Sequence, residues 1–225
     1  MKGIQQSSEV IHLPRPVKSS FWPKWKEGPL LLRHVTMLTF SVTFLPEVIS
    51  RMLPDGLRSN DEATGGFEFL LARRGPMSAP FSAATIWFDL ETSCGDHVAS
   101  RYAVARFASS TIGDQSEVII AQTRFCEDEL GMSVDLSIQE RSIVHATVRG
   151  WCDDYAAAGT TTYLTPDFDG SNSLVVPWSA NLADADMPTL EVRDPAFAAL
   201  APTSVLGATL GTEVALTLGI AIGPS

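Results

Sequence analysis

Arg124 is followed by Glu127, Asp128 and Glu129, so a permanent cation stands beside three carboxylates. That combination suits general acid/base work in a pocket, and equally an ion cluster on a surface. Tyr102 and Arg106 lie on a strand candidate expected to neighbour this stretch. The other acidic pairs, Asp153-Asp154, Asp167/Asp169 and Asp184/Asp186, raise the question of a metal. In the run Asp167, Asp169, Gly170, Asn172 the glycine comes too early for a calcium loop, and its twelfth position is Trp178 rather than glutamate. These pairs read as solvated turns. Cys94 and His97 supply two ligands where a tight site wants three or four, and His12, His34 and His145 share no spacing with them. His145, Thr147 and Arg149 share a strand face opposite Val144, Ala146 and Val148. Such a face points to solvent by default, or into a cavity if the sheet closes on itself. No nucleophile elbow, zinc helix, phosphate loop or dinucleotide fingerprint is present, and no cofactor is expected.

Composition narrows the partners. The 225 residues carry a net charge of -10, with 45% hydrophobic and 19% charged residues. A polyanion needs clustered cations, so nucleic acid is not an expected partner. No basic amphipathic stretch is present to hold a membrane surface. Cys94, Cys126 and Cys152 form no CxxC pair and fit reduced thiols. The first twenty residues lack an apolar signal core, so a cytoplasmic protein is expected. Thr203 to Ile222 is apolar enough to suggest a membrane span, but Glu213 lies in its middle. It reads instead as two buried strands around Gly211-Thr212.

Residues 1–29 form an arm broken by Pro14, Pro16, Pro23 and Pro29, with Trp22 and Trp25 set among Lys18, Lys24 and Lys26. Packing of these tryptophans on the body or on a neighbouring subunit is expected, which suits a homo-oligomer. All four lysines of the chain (Lys2, Lys18, Lys24, Lys26) lie in the arm. Residues 30–225 are expected to form a single domain. Its strand candidates are Leu30–Phe44, Phe67–Ala72, Ala84–Leu90, Arg101–Ala108, Glu117–Phe125, Met132–Ile138, Ile143–Trp151, Thr161–Leu164 and Leu174–Trp178, with the two C-terminal ones. Alternation at Val134, Leu136, Ile138 and again at Val144, Ala146, Val148 predicts a hairpin with one buried face. Only Pro46–Leu53, with proline in its first turn, and Pro195–Leu200 read as helical. The class is α+β, predominantly β.

The order of these features over residues 30 to 222 resembles the acetoacetate decarboxylase family. The resemblance rests on Leu53-Pro54-Asp55-Gly56-Leu57 after a short helix, and on Pro80-Phe81-Ser82-Ala83 entering a strand. The C-terminal segments Val205-Leu206-Gly207-Ala208 and Thr217-Leu218-Gly219 are similar too. It implies a closed, cone-shaped β-barrel with one or two short helices and an internal cavity. The family decarboxylates β-keto acids through an imine on a lysine of depressed pKa. Placed by the strand ending at Phe125, the lysine positions fall near Leu130 and Gly131, and the family's Asn-Glu step becomes Ser82-Ala83, which removes a pocket carboxylate. No shift of register restores the amine, because no lysine follows Lys26.

The resemblance therefore implies a cavity without its nucleophile. Arg124, Glu127 and Asp128 are the expected catalytic residues, and Tyr102, Arg106 and Glu129 the expected contacts to a small-molecule substrate. The expected activity is cyclisation, pericyclic closure or dehydration of a polyketide-type molecule, by positioning and hydrogen bonding. The other possibility is a binding protein or inactive relative without catalysis.

Overall fold

The computed structural model of the protein describes residues 30–73, 80–91, 100–109, 119–164, 173–218 and 220–222. The arm, the Cys94/His97 pair and the Asp167–Asn172 run lie outside them. Among the described residues thirteen strands and two short helices follow one another. These are β1 (Leu30–Thr43), α1 (Pro46–Met52), β2 (Thr64–Ala72), β3 (Phe81–Asp89), β4 (Ser100–Ala108), β5 (Ile119–Ile120), β6 (Gln122–Asp128), β7 (Gly131–Ile138), β8 (Arg141–Arg149), β9 (Tyr155–Leu164), β10 (Ser173–Ala185), β11 (Thr189–Val192), a 3-10 helix (Pro195–Leu200), β12 (Ser204–Leu218) and β13 (Ile220–Ile222).

Most of the larger sheet forms a ring. Its strands pair in the order β12, β1, β2, β3, β4, β9, β10, and β10 pairs again with β12. Every contact in this ring is antiparallel except β4 with β9, where Arg101 stands opposite Tyr163. Bulges occur where the ring must bend. The pairing of β1 with β12 slips on both sides of Val35. Beside these slips His34 (φ 54°) and Glu213 (φ 51°) take left-handed backbone and pair with each other. The Thr203–Ile222 segment is thus one long strand with a bulge at Glu213, then β13, rather than two strands around Gly211-Thr212. No helix among the described residues is long and apolar enough to cross a membrane.

The second sheet has the order β11, β8, β7, β6. The expected hairpin is β7 and β8, turned by Gln139 and Glu140, both at positive φ as a two-residue turn requires. β11, not expected from the sequence, adds to the far edge of β8. The expected Glu117–Phe125 strand divides. β5 runs parallel to β4, and β6 leaves to join the second sheet.

Alternation separates two cores. One face of β1 to β4 (Leu38, Phe40, Val42, Phe67, Phe69, Ile86, Phe88, Phe107) packs on Val134, Leu136, Val144, Ala146 and Val148 of the second sheet. Ile49 of α1 and Leu200 of the 3-10 helix complete that layer. Phe44 lies 5.0 Å edge-on to Phe88 and 6.1 Å from Phe67, so α1 enters over an aromatic floor. The other core is inside the ring: Leu32, Val35, Leu70, Ala72, Ala103, Val176, Ala180, Val214 and Leu216 come from β1, β2, β4, β10 and β12 and meet one another. Strands buried on both faces explain near-continuous apolar runs such as Phe67–Ala72.

Candidate functional site inside the ring

The inward face is apolar at one end and polar toward the other. Residues directly across neighbouring strands share a face, which sets two polar rows. In the first, Asp89 stands opposite Arg101, and Arg101 opposite Tyr163. In the second, Thr39 is opposite Glu68, Glu68 opposite Thr85, and Thr85 opposite Arg106. Between them Gly66 pairs with Trp87, and Trp87 with Ala103. Thr39, Glu68 and Thr85 are half-buried although they point inward, which requires open volume beside them, since packed interiors leave none.

Side-chain contacts join the rows. Glu68 and Tyr163 each feel the Arg101 charge and one another's, so the three groups act together electrostatically. Arg101 Nε is 3.6 Å from Asp89 Oδ1 and its guanidinium carbon 4.4 Å from the Trp87 ring centroid. Asp89 is held in turn: the indole Nε1 of Trp87 donates to it at 3.1 Å and Thr64 Oγ1 at 2.8 Å. Asn60 donates to that threonine at 2.6 Å. Such second partners lock the guanidinium in one orientation. Burial pushes the Glu68 carboxyl above its ordinary range, and the Arg101 charge and the Tyr163 hydroxyl offset only part of that. The Tyr163 phenol is pushed up as well, first by burial and then by the Glu68 charge, against Arg101 and Arg106. Tyr163 therefore keeps its proton at neutral pH, as a donor. A raised carboxyl, a neutral phenol and two guanidinium groups can polarise a carbonyl, hold an anion and move a proton.

Of the residues expected from sequence, only Arg106 faces this interior. Arg124 corrects the expectation: it is exposed on β6, opposite Asp135 in the second sheet. Its strand has left the ring, so its side chain has no route inside. Glu127, Asp128 and Glu129 are exposed at the end of the same strand, where Asp128 Oδ1 accepts from the backbone N–H groups of Leu130 and Gly131. Tyr102 is buried on the opposite face of β4 from Arg101, within the core shared with the second sheet. Of Leu130 and Gly131, where the lysine positions were expected, Leu130 lies in the β6–β7 turn, 66% exposed, and Gly131 begins β7 opposite Asp128. His145 lies on the outer face of the second sheet, 3.5 Å from Asp135. Ala83 faces inward beside Leu70, so the strand position expected to have lost a carboxylate is an interior one. Glu68, two residues along β2, supplies another. Among the described residues no three or more His, Cys, Asp and Glu gather as a metal site.

Glu68, Arg101 and Tyr163 were not anticipated. A signal for Glu68 was visible, an ionisable residue between Phe67 and Phe69 in an otherwise apolar strand.

No protein-family model matches the sequence, and none of the curated proteins does. Solved structures do match. The enduracididine biosynthesis enzyme MppR in complex with pyruvate has a TM-score of 0.61 at 16% identity, over 88% of this chain and 91% of that one. An acetoacetate decarboxylase has a TM-score of 0.60 at 12% identity, over 96% of each chain. Acetoacetate decarboxylase from Legionella pneumophila has a TM-score of 0.62 at 12% identity, over 100% of this chain and 98% of that one. Identities this low speak to architecture alone. The chain has the acetoacetate decarboxylase-like fold.

Proposed function

We propose that this protein is an enzyme that takes a small carbonyl-bearing, anionic molecule into the ring and transforms it without a covalent amine intermediate. Its reaction is cyclisation or dehydration of a polyketide-type substrate. Glu68 moves the proton, Tyr163 donates to the developing oxyanion, and Arg101 and Arg106 hold the substrate's negative charge. The observation that carries this reading is the placement of Glu68 and Arg106 in one inward row and of Arg101 and Tyr163 in the row beside it. A carboxyl pushed upward by burial holds its proton more tightly than an ordinary one, which suits it to give and take a proton. Such chemistry gains its rate from a held geometry and a fixed donor, neither of which needs a lysine. The fold's solved neighbours named above are enzymes, one of them in complex with a small keto acid. We place the protein in the cytoplasm, since Cys126 and Cys152 are exposed free thiols, and treat residues 30–225 as one domain.

Incubation with linear β-keto acids and their thioesters, followed by mass spectrometry, tests the reading. Cyclisation leaves the mass unchanged but shifts retention, and dehydration removes one water. Both are expected to fall by about 100-fold or more in Glu68→Gln and in Tyr163→Phe. Binding that survives with no turnover of any precursor would favour a binding protein instead.

A further inference from the structure

Beside its two polar rows the ring carries an apolar wall to which the chemistry above gives no task. Trp178, Leu182, Met37 and Phe81 stand on the inward face, packed against the interior core. Val35, Val214 and Leu216 next to them are sealed, yet these four remain only half-buried. Such side chains border unfilled volume, since a packed interior covers what points into it.

Close backbone approaches fix where the wall stands. Gly159 pairs with Trp178 across β9 and β10. A Cβ on Gly159 would meet two ring carbons of that indole at 2.9 and 3.2 Å, so the ring lies against bare backbone. Leu182, Gly211 and Met37 follow one another across β10, β12 and β1. A Cβ on Gly211 would lie 3.4 Å from Met37 Cε and 3.5 Å from Leu182 Cδ2, so both side chains converge over it.

The wall adjoins both polar rows. Met37 stands opposite Leu70 on β2, one step along the same face from Glu68. Tyr163, opposite Arg101, belongs to the same buried cluster as Leu70, Val176 and Leu216. Small-molecule sites take most of their contact from apolar lining and use a few polar groups to fix orientation. An acid as short as pyruvate would satisfy the guanidinium groups and leave the wall bare. We propose that the substrate is a keto acid bearing an aryl or branched alkyl arm, its carboxylate at Arg101 and Arg106 and its arm against Trp178, Met37 and Leu182. Trp178 thereby sets the choice of arm, provided that the ring interior is the keto-acid site described above.

Titration calorimetry of the full-length chain with pyruvate and with phenylpyruvate, which differ by the aryl group alone, tests this. Phenylpyruvate is expected to bind at least about tenfold more tightly, the scale of gain for an apolar group entering a fitting pocket. Trp178→Ala closes most of that gap, and unchanged circular dichroism verifies that the variant folds. In the unsubstituted protein with labelled methionine methyl groups, isotope-filtered NMR shows contacts from the phenyl protons to Met37, assigned through Met37→Leu. Equal affinities in the parent overturn the proposal, as does a gap that Trp178→Ala leaves unchanged or a phenyl group silent toward Met37. Pyruvate binding that Arg101→Met abolishes would in those cases still uphold the keto-acid reading. If neither acid binds, that reading fails and the arm site falls with it.

Discussion

The Arg101 guanidinium carbon lies 4.4 Å from the Trp87 ring centroid, while the indole N–H of the same tryptophan donates to Asp89 at 3.1 Å. One aromatic residue thus supports both members of an ion pair, Arg101 through its π face and Asp89 through its edge. A guanidinium at the end of a flexible stem becomes a fixed group aimed at Tyr163. The room for that indole comes from Gly66, directly across on β2. A Cβ there would meet Trp87 ring carbons at 2.3 and 2.5 Å and the Phe40 carbonyl at 2.4 Å.

Gly66→Ala is therefore expected to displace Trp87 or push β1 and β2 apart. A loss of about 1–3 kcal/mol is expected, the range for overpacking a filled interior, measured by urea unfolding. A stability equal to the parent's would show that the stack is loose and that Arg101 is not held by it.

Glu68 makes stability depend on pH in a particular direction. Its folded-state pKa lies above the ordinary 4.5 because burial disfavours the carboxylate. Below 4.5 the group is protonated folded or unfolded, and its contribution is fully present. As pH rises, the unfolded chain ionises first, so stability is lost until the folded-state pKa is passed. Glu68→Gln keeps an acceptor for Tyr163 and removes the titration. Its stability relative to the parent should rise as pH climbs from 4.5 and then level off, in unfolding series across pH. A difference that is flat with pH would mean that Glu68 is solvated.

Much of the fold was legible because it rests on local pattern. Pro46 opened α1 where expected, and the alternation at Val134–Val148 placed the β7–β8 hairpin with its buried face correct. The site was less legible because it depends on pairing between distant segments. Arg101 and Arg106 are an odd number of residues apart, so simple alternation puts them on opposite faces of β4. A bulge shifts the register: Ala105 pairs with Ile86 but Ala103 with Trp87, which leaves Val104 unmatched and returns both arginines to one face. Tyr163 reaches them only through the parallel contact of β4 with β9, which no local signal announces. Arg124 misled for a related reason. The strand expected to run unbroken from Glu117 to Phe125 changes sheets after Ile120, and everything beyond belongs to the outer layer.

Arg124 and Arg101 should consequently behave as opposites. Arg124→Met removes an exposed charge, with an expected stability change below about 1 kcal/mol and no effect on ligand binding. Arg101→Met removes the cation beside Asp89 and opposite Tyr163 inside the ring. It should lower stability by about 1–3 kcal/mol and weaken an anionic ligand at least about tenfold. Calorimetric titration with pyruvate or a β-keto acid separates the two. Equal effects of both substitutions would argue against the interior site.

The last prediction concerns imine chemistry. An imine needs an unprotonated primary amine next to the substrate carbonyl, and enclosed sites obtain it by depressing a lysine pKa through burial and a neighbouring cation. The inward face has the cations, Arg101 and Arg106, but the chain has no lysine from Glu27 to Ser225. Only Lys2, Lys18, Lys24 and Lys26 remain, and a solvated lysine titrates near 10.4, leaving well under about 1% as free amine at neutral pH. Borohydride added to the protein with acetoacetate or pyruvate should leave the intact mass unchanged, and carbon dioxide release should stay at the uncatalysed rate. A reduced adduct located by peptide mapping at any arm lysine would overturn this, because an amine would then have to enter the ring from outside the strands that form it. Lys24→Arg and Lys26→Arg would next identify which one enters. Without an adduct, the proposed transformation of a keto acid is expected to depend on Glu68 and Tyr163, and Glu68→Gln should abolish it.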